Sequence, residues 1–88
     1  KMVKIFEIEK NNFGLILTTL NKKEKLILYK TKFDSTKYAP YYLSEISPTK
    51  TYISGMFYDK KQNKYNGKTK DGTKIQIKIE NNIAFFDY

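Results

Sequence analysis

The sequence predicts an all-β fold, a small single-domain barrel or sandwich of about six or seven short antiparallel strands. Three observations lead there. Ten isoleucines, eight threonines and fourteen aromatic residues stand against only two alanines among 88 residues, a balance that suits pleated surfaces better than helices. Turn-forming pairs recur at short intervals, at Asn11-Asn12, Asn21-Lys22, Asn66-Gly67, Asp71-Gly72 and Asn81-Asn82. The segment 73–80 alternates strictly, with Ile75, Ile77 and Ile79 on one side and Lys74, Gln76, Lys78 and Glu80 on the other. A chain this short buries roughly 60–70% of its unfolded surface, enough for one core. Residues 2–88 are therefore read as one domain, with Lys1 as an addition ahead of a natural start at Met2.

Taken in order, a first strand covers 3–9 and ends at the asparagine pair. Segments 13–20 and 24–32 carry apolar residues on both faces and read as a central hairpin turning at Asn21-Lys22-Lys23. Residues 33–48 break the pattern. Pro40 and Pro48 bracket Tyr41 to Ile46 there, which allows one short helical turn near 41–46. Strands resume at 49–58, 73–80 and 83–88. Between 59 and 72 the dipeptides Asn66-Gly67 and Asp71-Gly72 stand five positions apart, so one is expected to be a turn and the other a bulge or loop. The expected core is Ile5, Phe13, Leu15, Leu17, Leu26, Leu28, Ile53, Phe57, Ile75, Ile77, Ile79 and Phe85.

The residues that are missing exclude whole classes of chemistry. The chain has no cysteine, histidine or tryptophan, and all 17 basic residues are lysines. Disulfides, thiolate nucleophiles, ordinary zinc sites and serine–histidine catalysis are thereby excluded. Glu7 and Glu9 share a strand face but read as a solvated surface. Asp59-Lys60-Lys61 fits the tail of a nuclease motif, without a second acid to pair it. Gly67-Lys68-Thr69 resembles the end of a phosphate-binding loop, yet Gln62 stands where that loop needs glycine and a β pattern follows. The expectation is a protein that is not an enzyme and takes no cofactor or metal. No run of even ten apolar residues exists, so neither a membrane span nor a signal-peptide core is expected, and the cytoplasm is the expected compartment.

Charge supplies the positive signal. Seventeen lysines against nine carboxylates leave a net charge of +8. Half of it lies in 59–74, where Lys60, Lys61, Lys64, Lys68, Lys70 and Lys74 oppose only Asp59 and Asp71. Tyr58 and Tyr65 are interleaved with these lysines, and Lys50 and Tyr52 share a parity with Tyr58 on the preceding strand. Ammonium groups neutralise phosphates while aromatic faces stack on bases. The expected function is a non-catalytic module that binds DNA or RNA through Lys50, Tyr52, Tyr58, Lys60, Lys61, Lys64, Tyr65, Lys68 and Lys70. Without arginine, bidentate guanine readout is lost, so binding should be backbone-led and weakly sequence-specific.

A second expectation comes from Tyr38, Tyr41 and Tyr42, three rings within five residues beside Pro40. Rigid amphipathic rings suit a protein interface, and they equally suit a plug over one open end of the core. Small size and cofactor-free composition fit a phage- or mobile-element-type inhibitor of a host defence nuclease (anti-CRISPR-like). Such an inhibitor with this charge would bind a protein with an acidic or nucleic-acid-binding surface.

Overall fold

The structure, a computed structural model, describes residues 3–31, 40–46 and 52–88. Eight strands run through them: β1 (Val3–Lys10), β2 (Gly14–Thr19), β3 (Lys25–Lys30), β4 (Tyr41–Glu45), β5 (Tyr52–Asp59), β6 (Lys64–Lys68), β7 (Lys74–Glu80) and β8 (Ile83–Asp87). Each is antiparallel to its sequence neighbours, and β1 also pairs with β8 from Val3 opposite Asp87 to Glu7 opposite Ile83. The sheet thus closes into an up-and-down barrel with no free edge. Barrels of this strand number have an interior just wide enough for side chains to fill. Here Phe6, Leu17, Leu26, Leu28, Leu43, Met56, Ile75, Ile77, Ala84 and Phe86 fill it, with Phe6 and Phe86 in edge-to-face contact at 5.9 Å.

Two segments depart from expectation. Tyr41–Glu45 is a strand, and no helical turn forms there. Leu43 lies opposite Leu28 on one side and Ser54 on the other, and is fully buried. Ladder bonds from both neighbours, together with that burial, outweigh a local helical preference. Pro40, which has no N–H to give, sits just ahead of the strand, and its carbonyl accepts from the Thr31 N–H at 2.7 Å and Thr31 Oγ1 at 3.1 Å.

The second departure is β6. Asn66-Gly67 lies inside this strand, and the turn before it is formed by residues 60–63. Asp59 Oδ1 accepts from Lys61 N at 3.0 Å, and Asn63 takes a left-handed φ of 53°. Of the two dipeptides between 59 and 72, Asp71-Gly72 is the one that turns, with Gly72 at φ 91°. The basic segment 59–74 is accordingly two turns at opposite ends of the barrel, joined by one strand.

The core also shifts. Phe13, Phe57 and Ile5 are 77%, 49% and 43% exposed, and Phe85 is half-buried on the outer surface. Ile5 alternates with Phe6 and shares its outward side with Glu7 and Glu9; Phe85 alternates with Phe86 and shares its side with Asp87. Phe13 belongs to the β1–β2 turn, where its N–H donates to Asn11 Oδ1 at 2.8 Å. On β5 a register shift between Leu43 and Ser44 makes Ile53 an extra residue, so Ile53 and the buried Ser54 both face inward. Met56 then follows inward, and Phe57 turns out to solvent.

Candidate functional site

The inward alternation of Ile75 and Ile77 forces Lys74, Gln76 and Lys78 onto the outer wall of β7. Opposite them on β6 stand Lys68, Asn66 and Lys64 respectively. Two lysine pairs therefore face each other across adjacent strands, Lys68 with Lys74 and Lys64 with Lys78. Like charges directly opposite destabilise a sheet. Among the described residues the ion pairs are Lys4 with Glu24 at 3.0 Å and Lys78 with Glu80 at 3.3 Å; Lys64 stands opposite Asp59 on β5, while Lys68 and Lys74 have no carboxylate partner there. The lysine rows lie four residues apart along the strands, about 13 Å at the usual rise.

Between those rows runs a third, with Phe57 opposite Asn66 and Asn66 opposite Gln76. A groove of about 490 Å³ follows it, lined by Gly55, Phe57, Asn66, Lys68, Lys74 and Gln76 among others. A second groove of about 530 Å³, lined by Lys61, Lys64, Lys78 and Phe85 among others, shares Gln76 with the first. The wall from β5 to β8 thus carries lysines and rings along both grooves, with Asp87 among the lining of the second.

The residues expected from sequence divide over this geometry. Lys64 and Lys68 lie on the wall. Lys60 and Lys61 project from the β5–β6 turn at one rim, and Lys70 from the β6–β7 turn at the other. Tyr52 faces outward, 46% exposed, at the end of an edge-to-face series in which Tyr42 touches Tyr29 at 5.8 Å and Tyr52 at 5.6 Å. Tyr58 and Tyr65 sit elsewhere. With Tyr41 they close one end of the barrel, Tyr65 lying 4.8 Å from Tyr58 and 5.1 Å from Tyr41 between ring centroids. Tyr58 Oη donates to Asn63 Oδ1 at 2.6 Å. Tyr41 thus acts as part of a plug, while Tyr42 belongs to the outer surface. Lys50 and Tyr38 lie outside the described residues.

Burial, and then the neighbouring Tyr41 and Tyr58, push the Tyr65 phenol above the usual tyrosine value. Its ionised form is disfavoured only in the folded barrel. The associated stability is intact below the ordinary tyrosine pKa and is lost as pH rises through the raised one. An alkaline absorbance titration should show a late phenolate step that disappears in Tyr65→Phe. At the other end Asp71 is held below the usual carboxylate range, first by the Thr69 hydroxyl and then by Thr73 N. Its charge is spent on the β6–β7 turn. Asp59 is likewise spent on its own turn, and among the described residues no three acidic side chains come together as a metal site.

Sequence reading missed Phe57, Asn66, Gln76 and Lys78 as site residues. The signal for Gln76 and Lys78 was the polar side of the 73–80 alternation. Asn66 was hidden because Asn-Gly normally marks a turn, and Phe57 because an upstream bulge reverses the parity of β5. No helix among the described residues is long and apolar enough to cross a membrane. No protein-family model, curated protein or solved structure shows significant similarity to this chain.

Proposed function

We propose that the protein is a non-catalytic nucleic-acid-binding module, acting in the cytoplasm, whose contact surface is the outer wall of β5–β7. The observation that carries this reading is the pair of opposed lysine pairs flanking Phe57, Asn66 and Gln76. Lys68 and Lys74, opposed with no ion-pair partner among the described residues, raise the energy of the sheet unless a polyanion lies across them. Lysine supplies mobile point charges that favour phosphate contact without base identity, so binding is backbone-led. Lys60, Lys61 and Lys70 extend the positive field at the two rims. Fluorescence anisotropy against a labelled single strand over a salt series tests it. Four phosphate contacts predict a log–log slope of roughly −3. A slope near zero, or no binding at low salt, would overturn the reading.

A second reading rests on the outward edge-to-face series of half-buried Tyr29 and Tyr42 with exposed Tyr52. Such rings suit a protein partner, as in an inhibitor seated on a defence nuclease. Complexes held by buried rings persist in salt that strips nucleic acid from lysines, so a salt-resistant protein complex lost in Tyr42→Ala would support this second reading over the first.

A further inference from the structure

Most described aromatic rings are committed to one another: Phe6 to Phe86, Phe86 to Tyr88, and the tyrosines of the plug and of the outer series among themselves. Phe13, Phe57 and Phe85 have no ring neighbour among the described residues. Phe13 stands on the β1–β2 turn, off the lysine wall. Phe57 and Phe85 lie on that wall, one in each of its two grooves. Phe57 lines the first with Lys68 and Lys74, and Phe85 lines the second with Lys61, Lys64 and Lys78. The second groove also holds Asp87, which its three lysines outnumber. Both grooves include Gln76, so ring, lysines and ring follow one another along a single track.

Resting on the proposed nucleic-acid reading, we infer that this track holds a single strand, with one base stacked on Phe57, another on Phe85 and the intervening phosphates on the lysines. The rings stand on β5 and β8, three strands apart, which is about 14 Å along the sheet. Bases stacked in a helix are only about 3.4 Å apart. The two bases that meet the rings are therefore not stack neighbours, and the strand lies extended across the wall. In a duplex the neighbouring pairs cover each base face, and only base edges open into the grooves. A duplex can reach the lysines but can stack on neither ring. A ring face accepts any base, so the track separates single strands from duplexes without reading sequence.

The experiment measures affinities for three ligands, with the intact protein and with Phe57→Leu/Phe85→Leu. They are oligo(dT) of about a dozen nucleotides, an abasic strand of the same length, which keeps the phosphates and lacks the bases, and a duplex hairpin. Leucine keeps apolar bulk and loses the flat face. The wild type should bind oligo(dT) about tenfold more tightly than the abasic strand. The double variant should bind these two alike and keep its wild-type affinity for the abasic strand and the duplex. Phe57→Leu alone, at the more exposed ring, should give an intermediate preference, and circular dichroism confirms that each variant is folded. An equal loss on all three ligands would mean that the rings only support the wall, and would overturn the track. Equal wild-type affinities for oligo(dT) and the abasic strand, or a preference that survives the double substitution, would overturn it while leaving the lysine module intact. Failure to bind any of the three would overturn both.

Discussion

Replacing Gly67 by alanine is expected to lower the thermal midpoint by about 10–40 °C, measured by circular dichroism or calorimetry. Gly67 faces inward on β6, against Ser54, Gly55 and Met56 of β5. A Cβ there would stand 2.5 Å from both the Gly55 carbonyl oxygen and Ser54 Oγ, and would also meet Met56 Sδ. The methionine tail can move aside, but the carbonyl belongs to the neighbouring strand. Ser54 is fully buried, and its hydroxyl accepts from Lys68 N at 2.9 Å while lying 2.8 Å from Gly55 O and 3.0 Å from Lys68 O. Displacing it leaves buried polar groups poorly matched. Overpacking costs about 1–3 kcal/mol and a disturbed buried hydrogen bond about 1–3 more. For a domain this size each kcal/mol moves the midpoint by about 4–8 °C. A midpoint unchanged within about two degrees would mean that β6 does not pack as described.

Gly67 also shows how far the fold was legible from sequence. The all-β class and six of the eight strands stood out, because isoleucine alternation and turn residues are local signals. β6 did not, since Asn66-Gly67 copies the chemistry of a hairpin turn. Its glycine answers instead to a contact with Ser54 and Met56 more than ten positions away, which no local pattern records. The strand at Tyr41–Glu45 was missed for a related reason: its identity rests on pairing with both β3 and β5, and Pro40 obscured it. For the site, lysines were legible as charge, and their division between two rims and one wall was not. Tyr65 was taken for a stacking ring because it sits among lysines in sequence, whereas strand alternation turns it toward the barrel mouth. Phe57 was assigned to the core because β5 carries a bulge at Ile53, and every residue beyond the bulge changes side.

The opposed lysines lead to a second large effect, in which stability is kept while binding falls. Lys64→Glu/Lys68→Glu changes one member of each pair, placing a carboxylate opposite Lys78 and another opposite Lys74, the first of them also facing Asp59 across β5. The pair with Lys74 contributes about 0.2–1 kcal/mol in place of a repulsion, while the gain at Lys78 is offset by the repulsion from Asp59, so the midpoint should hold or rise by a few degrees. The same change puts negative charge where phosphates would lie. A merely structural pair of lysines would give the first effect without the second. The most direct test is therefore one parallel measurement of melting and single-strand affinity. It compares the wild type, this double variant and the matched control Lys23→Glu/Lys25→Glu, which removes equal charge from the β2–β3 turn and the start of β3. The expected result is a level or higher midpoint with about a hundredfold weaker binding and a flatter salt slope for the wall variant, and a far smaller loss for the control. Equal losses from both variants would show diffuse attraction to a lysine-rich surface and contradict a site on the β5–β7 wall.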